Sequence, residues 1–89
     1  MLTKTMALEL APRKINVNGV APGAINSPML FSKHPSDISE ALIVKRNKTS
    51  IPIGAIAEPQ EVARAVIFLC REKHVTGEIM ALDGGFTAA

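Results

Sequence analysis

The chain contains no tyrosine and no tryptophan, and only three phenylalanines. It therefore offers no aromatic platform on which nucleic-acid bases could stack. Its one basic cluster, Lys45, Arg46 and Lys48, reads as a solvated helix end. No nucleic acid is expected as a partner despite a net charge of +2 and a pI near 9.0. A single cysteine, Cys70, excludes an internal disulfide. Nothing near it has Cys/His metal-ligand spacing, so no metal is expected, and Cys70 reads as a buried thiol of a cytoplasmic protein. No apolar run approaches the ~20 residues of a membrane span, and the N-terminus lacks the charged and apolar regions of a secretory signal. Also missing is any Gly-x-Gly-x-x-Gly or related spacing. That removes the backbone cradle that a pyrophosphate finds at a helix N-terminus.

What is present is the material for a core. Of 89 residues 47 % are apolar, which suits one small domain and argues against disorder. Met1–Ala11 is expected to be a helix with Leu2, Met6 and Leu10 on one stripe, widened by Leu8 and Ala11 and ended by Pro12. No capping residue precedes it, as though its first turns were missing. Ile15–Val20 is short and β-branched, and Pro22-Gly23 follows at once, so a buried parallel strand is expected. Loop is expected from Ala24 to about Pro35. A helix is expected over Ser36–Lys48, capped by Ser36 or Ser39, with Ile38, Leu42 and Lys45 on one side. After the irregular "IPIGAIAEP", the stretch "EPQEVARAVIFLCR" is the clearest helix. Glu58 can cap it, Pro59 suits its first position and Glu61 its positive end, and Val62, Ala63, Val66, Leu69 and Cys70 form its apolar face. Residues 72–77 make a turn ending in Thr76-Gly77. Glu78–Leu82 is a second strand, closed by Asp83-Gly84-Gly85.

Helix, strand, helical crossover, helix, strand is the order of a right-handed βαβ unit with one helix ahead of it. Its two strands would be parallel neighbours. A parallel strand is normally covered on both faces and paired on both edges, and this chain is too short to do so. One edge of the first strand would stay open to another chain. The fold class is therefore α/β and the domain incomplete.

With "INVNGVAPG", "EPQEVARAVIFL" and "VTGEIMALDGG" in this order, the whole chain resembles the C-terminal portion of the short-chain dehydrogenase/reductases. These are NAD(P)-dependent oxidoreductases with a Rossmann-type parallel sheet. The resemblance implies that residues 1–89 are a single partial domain and that 24–50 form the region of the substrate lid. It implies that Pro22-Gly23 lies beside the nicotinamide half of the cofactor, at the carboxyl end of a parallel strand where such sheets place ligands. Gly23, having no Cβ, would let backbone approach a flat ring. Ile25 would offer backbone groups to the carboxamide. Ser27 stands where the family usually has Thr, whose hydroxyl contacts the carboxamide or the pyrophosphate, and would supply a similar hydroxyl without the methyl that limits rotation. Asn18 is expected to be a structural hydrogen-bonder, His34 and His74 ordinary surface groups, and Asp83-Gly84-Gly85 an architectural turn. The connection "REKHVTG" is about two residues shorter than is usual in the family.

The family's chemistry uses a Tyr as acid/base and a Lys four residues later, on the helix matching Met1–Ala11 but a turn or two earlier. No Tyr occurs here, so no residue is assigned a catalytic role. The expected function is that of an oxidoreductase fragment for an alcohol or carbonyl substrate, inactive alone. NAD or NADP is the cofactor that the family implies, and the missing N-terminal half or a full-length relative is the expected partner. Two alternatives stand beside it: a non-catalytic oligomerisation or interaction module, homo-oligomeric or bound to a relative, and a truncated product without function.

Overall fold

A computed structural model describes residues 1–32 and 38–88. Its centre is a two-stranded parallel sheet, β1 (Gly19–Pro22) against β2 (Ile79–Leu82), in the register Gly19 with Ile79 through Pro22 with Leu82. Among the described residues four helices accompany it: α1 (Leu2–Leu10), α2 (Pro28–Ser32), α3 (Glu40–Ser50) and α4 (Pro59–Arg71). Short 3-10 turns follow α1 at Ala11–Arg13 and close the chain at Phe86–Ala88. The α/β class, the parallel pairing and the incomplete sheet agree with the sequence reading.

The first strand lies further along the chain than Ile15–Val20. Lys14 adopts a left-handed conformation (φ 58°), and the residues after it attach to the 72–78 segment mainly through side chains: Asn16 Nδ2 donates to Glu72 O (3.2 Å) and Lys73 O (3.0 Å). Val17 N–H donates to Thr76 Oγ1 (3.1 Å), while its carbonyl accepts from Gly77 N–H (2.8 Å). Asn18 bridges two backbone groups: its Nδ2 donates to Val75 O at 2.9 Å and its Oδ1 accepts from Glu78 N–H at 3.0 Å. Regular pairing starts only at Gly19, whose N–H donates to Glu78 O (2.8 Å), and runs through Pro22 to the bond from Gly23 N–H to Leu82 O (3.1 Å). In this register Gly19, Ala21 and Gly23 face β2, whereas Val20 and Pro22 face the other edge. Proline thus sits where its missing N–H costs the existing ladder nothing. That outer edge pairs with no described strand.

The helices differ from expectation in their ends and in what they bury. The segment after Ala24 is not all loop, because Pro28 starts the short helix α2, which proline at a first helical position favours. α3 begins at Glu40, capped by the Ser39 side chain accepting from Leu42 N–H (3.2 Å), and extends to Ser50. Ser36, the alternative cap, lies outside the described residues, as does His34. The buried residue of α3 is Ile43 rather than Ile38, Leu42 or Lys45. On α1 it is Ala7, packed beside Gly77, while Leu2 and Leu8 are 72 % and 78 % exposed.

α4 starts as expected, with Glu61 carboxylate accepting Glu58 N–H at 2.6 Å, but buries only Ala65 and Leu69. Val66 is nearly half exposed, and Cys70 is exposed rather than buried. For α4, which packs on β1, the physical reason lies in the sheet. Two strands present too narrow a sheet to cover an apolar stripe three or four residues wide, so only the residues on its centre line lose their water. His74 is exposed.

Candidate functional site

β1 ends at Pro22, and the chain does not turn back along the sheet. Ile25 makes a parallel bridge with Ala57, just ahead of α4: Asn26 N–H donates to Ala57 O (2.8 Å) and Ala57 N–H to Ala24 O (3.1 Å). In a parallel bridge of this kind the flanking residues do the bonding. Ile25's own N–H and C=O point away from Ala57, and neither bonds to another described backbone group. Asn26 strengthens the link, its Nδ2 lying 3.3 Å from both carboxylate oxygens of Glu58. Ser27 precedes Pro28, and its carbonyl accepts from Leu30 N–H (3.1 Å) as α2 begins. These bonds fix residues 23–30 as a rim at the carboxyl end of β1.

Pro22, Gly23, Ile25 and Ser27 converge on one open cleft of about 470 Å³, completed by Met29, Leu30 and Asn47. All four sequence-predicted residues are thus brought together. Asn47, from the last turn of α3, escaped sequence reasoning. Asparagine is a poor helix former in the body of a helix, but that alone points to no cleft. On the far side of the rim a second cleft of about 400 Å³ runs between Pro22–Ala24, Asn47 and the Asp83–Thr87 turn.

Gly23 has a local reason to lack a side chain. A Cβ there would lie 3.0 Å from Asp83 Cβ and 3.1 Å from Asp83 Cα, so Asp83 would have to give way by a few tenths of an ångström. Asp83 itself holds the closing turn: Oδ2 accepts from Thr87 Oγ1 (2.7 Å) and Thr87 N–H (3.2 Å), and Oδ1 from Gly85 N–H (3.1 Å). The Thr87 hydroxyl above all, helped by the backbone N–H groups of Gly85 and Thr87, holds its carboxyl below the usual 3.8. An ionised carboxylate committed to three donors is a structural cap, not a proton donor at neutral pH. Among the described residues no group of three or more His, Cys, Asp or Glu is placed to hold a metal ion. No described helix is long and apolar enough to cross a membrane.

The architecture has close relatives. The family described as Enoyl-(Acyl carrier protein) reductase matches residues 1–87. The 3-oxoacyl-(acyl-carrier-protein) reductase FabG of Aquifex aeolicus is 44 % identical over 85 residues, covering 93 % of this chain and 32 % of its own length. A short chain dehydrogenase family protein from Francisella tularensis superposes with a TM-score of 0.89 at 38 % identity, over 99 % of this chain and 39 % of that one. A small-chain dehydrogenase solved in complex with NADPH superposes at 0.83 with 28 % identity, over 99 % of this chain and 38 % of that one. The chain spans about a third of the length of the curated relatives it matches. On sequence and fold together, it belongs to the short-chain dehydrogenase/reductase family.

Proposed function

We propose that this chain supplies the nicotinamide-side wall (Pro22, Gly23, Ile25, Ser27) and the substrate lid (residues 24–50) of an NAD(P)-dependent oxidoreductase acting on an alcohol or carbonyl, and that alone it carries out no turnover. One observation carries the reading: four residues that the family resemblance assigns to the cofactor line a single cleft, and the Ile25 N–H and C=O bond to no other described backbone group. A carboxamide is one acceptor and one donor group, so the Ile25 pair matches it, N–H to its oxygen and C=O to its NH2. The Ser27 hydroxyl can take or give a further hydrogen bond beside it. The dinucleotide, when bound, supplies or accepts the hydride. Pro22 and Gly23 fix the wall against which its ring would lie, and Met29 and Leu30 give the adjoining surface its apolar character.

The residues present do not fit the other half of the cofactor. The chain has no glycine-rich turn for a pyrophosphate and no Tyr to move a proton at the substrate oxygen. A positioned acid/base contributes roughly 10²–10⁴-fold, and losing the register between two reactants costs more. A relative's N-terminal segment carrying the glycine-rich turn and the Tyr-x-x-x-Lys helix, produced separately and mixed with this chain, is the test. NADPH oxidation with a carbonyl substrate is expected in the mixture only. Turnover by the 89-residue chain alone, or none in a mixture that demonstrably associates, overturns the proposal.

The exposed apolar surface favours a second reading, a module that binds a longer relative or another copy of itself without catalysis. Leu2, Leu8, Ile53 and Met29 are each about two-thirds or more exposed. Association with an intact relative that leaves its turnover unchanged or altered, with no complementation of the N-terminal segment, is the outcome this reading expects.

A further inference from the structure

The two polar side chains of the cleft are Ser27 and Asn47, the rest of its lining being Pro22, Gly23, Ala24, Ile25, Met29 and Leu30. Ser27 can turn its hydroxyl to suit either a donor or an acceptor. Asn47 cannot. Its Nδ2 donates to the Ile43 carbonyl one turn back, at 2.9 Å, and a carbonyl can only accept, so the orientation of the amide is settled by chemistry. The carbonyl end, Oδ1, is therefore the end left over, and it makes no hydrogen bond to another described residue. The Asn47 backbone is equally fixed, its carbonyl accepting from both Ile51 N–H (3.1 Å) and Ser50 Oγ (3.0 Å). The result is a half-buried asparagine whose side chain is pinned at one end and whose free end is an acceptor, and the residue lines the clefts on both sides of Pro22–Ala24.

We propose that Asn47 Oδ1 is a specificity-determining acceptor that positions a neutral O–H or N–H group of whatever occupies this cleft. The inference rests on the functional reading above and names a residue that reading does not use. A ligand group that can only accept, such as a ketone oxygen, gains nothing from Oδ1. A hydroxyl or an amide NH2 gains a hydrogen bond, and losing it in an otherwise unchanged contact weakens binding about tenfold. Two sources of such a donor exist, the carboxamide of a nicotinamide and a hydroxyl of a substrate, and paired probes separate them.

The test is an NMR titration of the uniformly 15N-labelled chain, assembled with the unlabelled N-terminal segment, with small probes at millimolar concentration, nicotinamide against 3-acetylpyridine, and cyclohexanol against cyclohexanone. The expected result is a shift of the Asn47 side-chain amide with the donor-bearing member of one pair, and binding about tenfold tighter than its partner. In Asn47→Ala that preference disappears, while the weaker probe binds as before. Alanine is the best helix former, so α3 is retained. If the variant spectrum shows otherwise, the wild-type Asn47 side-chain shift decides alone. Movement of the Ile25 and Ser27 amides with Asn47 stationary, or a preference that survives Asn47→Ala, overturns the role of Asn47 and spares the cleft. No movement at any of the three with every probe overturns both.

Discussion

Three residues hold the strand pair and the closing turn beside the cleft, and each can be tested alone. Asn18 does the work of two ladder bonds with one side chain, and no apolar residue can replace it. Asn18→Leu leaves Glu78 N–H and Val75 O without that partner and should destabilise the fold by about 1–3 kcal/mol in urea unfolding. A loss below a few tenths would mean that water replaces the bridge. Gly23 lies against Asp83, whose Cβ and backbone Cα a new side chain would crowd at 3.0 and 3.1 Å. Gly23→Ala should therefore cost about 1–3 kcal/mol, and the damage should reach the closing turn, visible as lost exchange protection at Gly85 and Thr87 N–H. Asp83 makes the third case.

Because its folded-state pKa is lowered, Asp83 adds stability above the unfolded pKa near 3.8, and this is lost as pH falls through the lower folded value. An NMR titration of its carboxyl carbon should give a midpoint below 3.8, and Thr87→Val should move it upward by removing the largest cause. An unmoved midpoint would refute the assignment to the Thr87 hydroxyl.

At the scale of elements, α4 was the most legible part of the chain and β1 the least. Glu58, Pro59 and Glu61 announce a helix start in three letters, and the fold places Glu61 carboxylate on Glu58 N–H as that pattern implies. Glu61→Ala should cost about 1 kcal/mol and fray the first turn, with helix loss by circular dichroism as the readout. The strand was misplaced because Ile15 and Val17 look like strand residues and Pro22 looks like a stop. What decides the matter is which way each N–H faces, and no single chain's letters carry that. Once Pro22 faces the unpaired edge, it can close a strand rather than precede its end. The four cleft residues were readable from the family resemblance. Asn47 was not, since it reaches the rim through the placement of α3, a helix whose buried residue, Ile43, also departed from the expected stripe.

The whole molecule carries more surface than its mass warrants. A compact monomer of 9.5 kDa exposes about 5,000 Å², whereas this chain exposes 6646 Å². Its radius of gyration is 16.1 Å against the ~12 Å of a compact domain of this length. The surplus exceeds the ~800 Å² that one partner gives to a standard interface. Large apolar side chains are exposed on α1 (Leu2, Leu8), α2 (Met29) and α4 (Val66, Ile67, Phe68) and at Ile53, and the outer edge of β1 pairs with no described strand. Alone in solution at tens of micromolar the chain should self-associate, and sedimentation should show species heavier than 9.5 kDa that the complementing N-terminal segment converts to a defined complex. A monodisperse monomer, unaffected by that segment, would contradict this.

The central claim concerns which half of the dinucleotide these residues meet, and one comparison reaches it. The 15N-labelled chain, assembled with the N-terminal segment, is titrated with NADPH and separately with the ADP-ribose analogue that lacks only the nicotinamide. The account predicts shifts at the Gly23, Ile25 and Ser27 amides with NADPH and none there with the analogue. The same shifts with both ligands, or shifts confined to the Asp83–Thr87 turn, would contradict it.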